Sequence, residues 1–126
     1  MPRILYIEDN RDNRKLIRRI LQVEGIEVLE AASAQEGLTV AEAEQPDLIL
    51  MDINMPAMDG LTATKLLRLN EQLRRIPIVA LTANVMKGDR EKALDAGCDG
   101  YIPKPIDVDR FPGEVLSFIQ QFGDRV

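Results

Sequence analysis

The chain has 126 residues, 45% hydrophobic and 29% charged, which is enough for one compact domain with a sizeable core and too little for two. Lys and Arg total 16 against 21 Asp and Glu, and the net charge of -5 excludes a general nucleic-acid binder, which needs a positive field to displace counterions. Histidine is absent, so Ser-His-Asp and Cys-His catalysis, imidazole metal sites and a phosphohistidine on this chain are excluded, leaving carboxylates, Lys, Ser/Thr and one thiol.

That thiol, Cys98, has no partner for a disulfide, which points to a reducing, cytoplasmic setting, and beside Gly97 it reads as a small buried hydrophobe. No apolar stretch approaches the ~18 residues of a membrane span, and Glu8 and Asp9 interrupt the N-terminal run before a signal-peptide core is reached.

Short apolar runs alternate with helical patterns, and no linker, repeat or low-complexity tract divides them. The first run is Ile4-Leu5-Tyr6-Ile7. A first helix follows Asn10, with Leu16, Ile17, Ile20 and Leu21 on one face and Gly25 at a left-handed cap. Ile26 to Leu29 form the second run. Ser33 with Glu36 reads as a capping box opening the second helix, which Pro46 stops before the third run, Leu48 to Met51. Asp59 is the expected cap of a third helix through Leu66, Leu67 and Leu69. After the fourth run, Ile78 to Leu81, a fourth helix carries Met86, Ala93 and Leu94 and closes at Gly97. The last run is the short Tyr101-Ile102, and Val115, Leu116, Ile119 and Phe122 mark a fifth helix capped by Asp107 or Asp109. Pro112 is harmless in the first turn of that helix but breaks a hydrogen bond if the helix begins at Val108, so a cap at Asp109 or a distorted opening turn is expected.

Five strands alternating with five helices predict an α/β fold, a doubly wound parallel sheet with helices on both faces. Pro103 lacks a backbone donor and is tolerated best at an edge, which puts the fifth strand there. Open α/β sheets bind ligands beyond the carboxyl ends of their strands. There the first strand ends in Glu8-Asp9, the third in Asp52, the fourth in Thr82, and the fifth leads through Pro103 into Lys104. The second ends in Glu30-Ala31-Ala32, without a comparable set. Three clustered carboxylates repel one another, and a divalent cation resolves this. Oxygen-only ligands suit Mg²⁺, which takes one or two protein carboxylates together with a phosphate oxygen. Asp52 is then the nucleophile candidate for phosphoryl transfer, Asp9 a metal ligand tuned by Glu8, and Lys104 and Thr82 partners of the phosphoryl oxygens.

These residues, together with Glu8-Asp9-Asn10, Asp47 to Asp52, Met55-Pro56, Asp59-Gly60, Thr82-Ala83 and Lys104-Pro105, resemble the receiver domain of two-component response regulators, the CheY-like superfamily, over essentially the whole chain. Met86 to Asp89, Ala96-Gly97-Cys98 and Tyr101 to Ile106 are most similar to receivers of hybrid histidine kinases and stand-alone DivK-type regulators. The resemblance implies a flavodoxin-like (βα)5 fold with strand order 2-1-3-4-5, Asp52 as phosphoacceptor, and Mg²⁺ held by Asp9, Asp52 and the backbone carbonyl of Asn54 with Glu8 assisting. It implies a cis Lys104-Pro105 bond, a Thr82 and Tyr101 switch, and tuning of dephosphorylation by Asn54 and Asn84. The implied donor is a phosphohistidine on a histidine kinase or histidine phosphotransfer protein, or a small donor such as acetyl phosphate. Output through a downstream regulator, as a monomer or a phosphorylation-dependent dimer, follows from the same resemblance. No nucleic-acid or membrane partner is expected, and the chain is not expected to be an enzyme beyond turning over its own aspartyl phosphate.

The start at Met1 and the finish after the fifth helix read as a stand-alone protein, residues 1–126 forming one receiver domain without an output domain. Arg11, Arg14, Lys15, Arg18 and Arg19 on the first helix read as a solvated face, with attraction of an acidic partner as the competing role. An Mg²⁺-dependent phosphatase of the haloacid dehalogenase type is the alternative function. Asn54 stands where such enzymes carry a second Asp, and the chain leaves no room for a substrate cap. A flavin-binding module is disfavoured because the first strand feeds Glu-Asp instead of a phosphate-cradling loop.

Overall fold

Strands that alternate with helices along a chain bury both faces, and two interior ones here do so at every position: β3 (Leu48–Asp52) and β4 (Ile78–Thr82). The computed structural model describes residues 2–53, 60–82 and 89–122. In chain order the elements are β1 (Arg3–Ile7), α1 (Arg11–Val23), β2 (Glu27–Ala31), α2 (Ala34–Glu44), β3, α3 (Gly60–Leu69), β4, α4 (Asp89–Ala96), β5 (Gly100–Pro103) and α5 (Phe111–Phe122). All strand pairs are parallel and the order is β2-β1-β3-β4-β5, so Pro103 does lie on an edge strand.

Side-chain alternation divides the strands between two cores. Leu5, Ile7, Ile49, Met51, Ile78 and Ala80 face α2, α3 and α4, whose small Ala34, Ala41, Ala63 and Ala93 let the helices lie close. Ile4, Tyr6, Leu50, Val79, Leu81 and Ile102 face the other way, against Ile17 and Leu21 of α1 and Phe111 and Val115 of α5.

The helix ends are built as their residues predict. Asn10 Oδ1 accepts the Asn13 backbone N–H at 2.9 Å, and Ser33 Oγ accepts that of Glu36 at 3.1 Å. Glu36 reaches back past the cap and accepts from the Ala32 N–H, one residue ahead of Ser33, so the box closes in a shifted form. Gly25 and Gly97 have φ of 78° and 114°, a region that a side chain disfavours. α2 closes through Gln45 in the left-handed conformation, just ahead of Pro46.

The opening of α5 separates the two cap candidates. Asp107 Oδ1 accepts the backbone N–H groups of Asp109 and Arg110, closing a turn ahead of the helix. The helix proper starts at Phe111, so Asp109 is not its cap and Pro112 falls harmlessly in the first turn. The expected cap Asp59 and the α4 marker Met86 lie outside the described residues. No helix among the described residues is long and apolar enough to cross a membrane.

Candidate functional site at the carboxyl edge of the sheet

Strand order reverses at β1, which runs between β2 and β3, and this switch point is where an open α/β sheet leaves a crevice. Register then determines what meets there. Ile7 pairs with Met51, so Glu8 and Asp52 each stand one residue past that pair. Asp52 pairs with Leu81 and Thr82 with Pro103, and the Lys104 N–H donates to the Thr82 carbonyl at 2.7 Å. The chain continues through a cis Lys104-Pro105 bond.

Glu8, Asp9 and Asp52 each offer a carboxylate oxygen within 4.8 Å of the others. Glu8 and Asp52 are buried while Asp9 is exposed. The Lys104 ammonium lies 3.7 Å from Glu8 Oε1 and 3.6 Å from Asp52 Oδ1. Thr82 is buried, and Tyr101 is half-buried against the core beneath α2, α3 and α4. Tyr101 pairs with Ala80, two residues before Thr82, so strand alternation turns Thr82 and Tyr101 toward the same side of the sheet. Of the seven positions named for metal, phosphoryl contact or switching, Glu8, Asp9, Asp52, Thr82 and Lys104 therefore gather on three adjacent strand ends and the turn after β5, with Asp9 opening the site to solvent and Tyr101 set back within β5. The other residues expected to take part, Asn54 and Asn84, lie outside the described residues.

The electrostatics favour a cation. Burial and the neighbouring Asp52 push the Glu8 carboxyl up to about 7, against the opposing influence of Asn13 and Lys104. Glu8 Oε2 is buried and has no hydrogen-bond partner among the described residues. An acceptor in that position beside a second carboxylate calls for a proton, a cation or a water to satisfy it, and of these a cation also offsets the charge of both carboxylates. With all three carboxylates ionised, one ammonium leaves a surplus of two negative charges, which a divalent ion balances in place of the Glu8 proton. The donor set is all oxygen, so the residues fit Mg²⁺. Tyr6 donates its hydroxyl toward Glu8 Oε1 at 3.5 Å, and burial, with the Glu8 and Asp52 charges, raises its pKa so that it stays neutral.

Three supports were not anticipated from the sequence. Asn13 Nδ2 donates to Glu8 Oε1 at 2.7 Å, and Arg14 donates to the Glu8 backbone carbonyl at 2.7 Å. Glu30, on the strand that lacked a polar constellation, lies 3.4 Å from Arg14 Nε and accepts from Arg18 at 2.9 Å. The signal for Asn13 was its place on the Leu16, Ile17 and Ile20 stripe of α1, where a polar residue calls for a partner. Arg14 and Arg18 thus belong to the molecule's own framework, whereas Arg11, Lys15 and Arg19 remain on the solvated face.

Beside the acidic site runs a groove of about 240 Å³ between α1 and the turn after β5, lined by Asn13, Leu16, Lys104, Pro105, Ile106 and Val108 among others. Leu16 and Val108 are 51% and 54% exposed on its walls, so Leu16 lines a groove and not the core.

A sheet with this order and an acidic crevice at its switch point define a receiver-like α/β domain, and comparison with known proteins makes the class specific. Residues 4–115 match the family described as the response regulator receiver domain, and the chain belongs to that family. It is 44% identical over 116 residues to the polar-differentiation response regulator DivK of Brucella ovis, covering 92% of this chain and 94% of that protein. The DivK of Brucella anthropi is 42% identical over 120 residues, covering 94% and 98%. Among solved structures, the receiver domain of the sensor histidine kinase PA1611 from Pseudomonas aeruginosa PAO1, described with a magnesium ion coordinated in its active-site cleft, is similar at 37% identity and a TM-score of 0.83, over 98% of both chains. The chemotaxis response regulator CheY4 of Vibrio cholerae is similar at 28% identity and a TM-score of 0.87, over 94% of this chain and 98% of that one. The fold is the CheY-like one, and the chain is a signalling domain of two-component systems.

Proposed function

We propose that the chain accepts a phosphoryl group on Asp52 and uses it to switch protein-protein binding. The observation that carries this is the meeting of Asp52, Lys104 and two further carboxylates within one crevice, with Lys104 Nζ 3.6 Å from Asp52 Oδ1. An Asp52 oxygen attacks phosphorus in line while the bond to the leaving group breaks. That group departs as the neutral imidazole of a partner's histidine, whose other ring nitrogen already carries a proton, or as acetate. Lys104 pairs with one phosphoryl oxygen and the Thr82 hydroxyl donates to another, so charge developing on the equatorial oxygens meets fixed donors. Mg²⁺, held by Asp9, Asp52 and the Asn54 carbonyl with Glu8 assisting, would supply the remaining positive charge.

The donor is a histidine kinase or histidine phosphotransfer protein. A chain without histidine cannot make a phosphohistidine of its own, and the apolar groove beside Lys104 offers a partner helix a surface next to the reacting aspartate. After transfer, the contact to Thr82 favours one arrangement of the β4 and β5 ends over another, and Tyr101 follows on the same face. Asn54 and Asn84, two residues beyond Asp52 and Thr82, tune the lifetime of the acyl phosphate. The haloacid dehalogenase alternative has no support in this site, because its general acid would fall at Asn54.

Incubation with acetyl phosphate and Mg²⁺, read by intact mass, tests the reading. A gain of one phosphoryl group, released by hydroxylamine and lost in Asp52→Asn, is the expected result. Wild-type protein that neither gains mass nor responds to beryllofluoride overturns it, the second measurement covering rapid dephosphorylation.

A further inference from the structure

We infer that Asn13 is a positioning residue for the divalent-cation site: its side-chain amide fixes the Glu8 carboxylate so that one oxygen is fully occupied and the other is left for the ion. The inference rests on the reading of the acidic crevice as a Mg²⁺ site.

The two oxygens of Glu8 have unequal surroundings. Oε1 accepts from Asn13 Nδ2 at 2.7 Å, receives the Tyr6 hydroxyl at 3.5 Å and lies 3.7 Å from Lys104 Nζ. Oε2 is buried with no partner among the described residues. A carboxylate spinning freely about its last torsion would share donors between its oxygens, since that torsion is broad and twofold. Here the shortest contact, that of Asn13, holds the asymmetry, and the two longer ones are too loose to do so alone.

The backbone on which this carboxylate hangs is restrained as well. Arg14 donates to the Glu8 carbonyl, Glu8 N–H donates to the Ala31 carbonyl, and Glu30 pairs with Arg14. With its main chain pinned, Glu8 has only its side-chain torsions left to set, and the amide of Asn13 sets the last of them. Asn13 is at the third position of α1, and its own backbone N–H is taken by the Asn10 cap. The helix therefore does not need the Asn13 side chain, which is free to reach back across the first turn. Groups that orient a metal-binding residue typically alter cation affinity about tenfold or more when removed.

Divalent-cation affinity is the direct readout, independent of phosphorylation. Mn²⁺ binding is followed by loss of the free-ion electron paramagnetic resonance signal, with Mg²⁺ as competitor, in wild type, Asn13→Ala, Glu8→Gln and the double variant. Asn13→Ala is expected to weaken binding about tenfold while the melting curve stays cooperative, because the residue is exposed and its backbone remains capped. In the Glu8→Gln background the same change is expected to have little further effect, a coupling that a merely structural role for Asn13 would not produce. Asn13→Gln, which keeps an amide donor, is expected to recover part of the loss. Equal affinity in wild type and Asn13→Ala, or additive losses in the double variant, overturns the positioning role and leaves the metal site standing. Wild type that binds neither ion overturns the metal site and this inference with it. Should Asn13→Ala melt without cooperativity, Asn13→Ser carries the same comparison.

Discussion

Glu8 is a carboxylate placed where a negative charge is costly, and the consequence is measurable without any phosphodonor. In the folded, metal-free protein, burial and Asp52 raise its pKa from 4.5 to about 7. Between those values the folded state holds a proton that the unfolded chain has already released, so folding stability falls as pH rises through this window. Urea unfolding in chelator at pH 5 and pH 7.5 should show lower stability at the higher pH, and Glu8→Gln, which carries no titrating proton, should flatten the difference. An unchanged pH dependence in that variant would assign the titration elsewhere. Mg²⁺ should also flatten it, because the cation takes the proton's place between the carboxylates. A role for Glu8 in the acidic set was legible because it closes an apolar strand. Its protonation was not, since that depends on how deeply the register of β1 and β3 carries it beneath Asp9.

At the scale of elements, the strongest polar support lies away from the crevice. Arg68, in the last turn of α3, donates to the carbonyls of Gly97, Arg74 and Ile76 and to Asp99 Oδ2, all between 2.7 and 2.8 Å. The same Asp99 oxygen accepts the Ile78 N–H at 2.9 Å. One guanidinium thus ties the end of α3, the turn into β4 and the connection from α4 to β5, and the pair is largely buried, at 19% and 11% exposure. Removing it leaves a carboxylate and several carbonyls short of a donor, so Arg68→Ala should cost about 3 kcal/mol in denaturant unfolding. Arg68→Lys should recover less than half of that, because an ammonium cannot span the fork that a guanidinium spans. A loss below about 1 kcal/mol for Arg68→Ala would show that water replaces these contacts cheaply. This staple was invisible in the sequence. Arg68 falls at a polar position of an amphipathic helix, Asp99 31 residues away falls in a loop, and only the folded chain relates them. The strands were legible for the opposite reason: helices cover both faces, so β3 and β4 are written as unbroken apolar runs. Leu16 and Leu69 mark the limit of that reading: both fall at apolar helical spacing yet are exposed, because spacing gives a helix face and does not say whether anything covers it.

For the molecule as a whole, the decisive property is that its acidic crevice does not exist in the unfolded chain. Glu8, Asp9 and Asp52 lie at the ends of β1 and β3, with Lys104 nearly a hundred residues from the first of them, and only the 2-1-3-4-5 order draws them together. A ligand of this site therefore binds the native state alone, and its binding free energy appears directly as folding stability. At one hundred times its dissociation constant, Mg²⁺ should add about 2.7 kcal/mol to the unfolding free energy over protein in chelator. Asp52→Asn should behave in two distinguishable ways. Without metal it should be at least as stable as wild type, since it relieves repulsion inside the crevice, and with metal it should gain far less, since a charged ligand is gone. Paired urea titrations with and without Mg²⁺ check both halves, with Na⁺ at matched ionic strength separating specific binding from screening. An equal Mg²⁺ gain in wild type and Asp52→Asn would mean that the ion stabilises the fold from somewhere else, and the link between sheet order and cation binding would fail. A gain confined to wild type would tie the two together, because the strand order that buries the cores is also what gathers the charges.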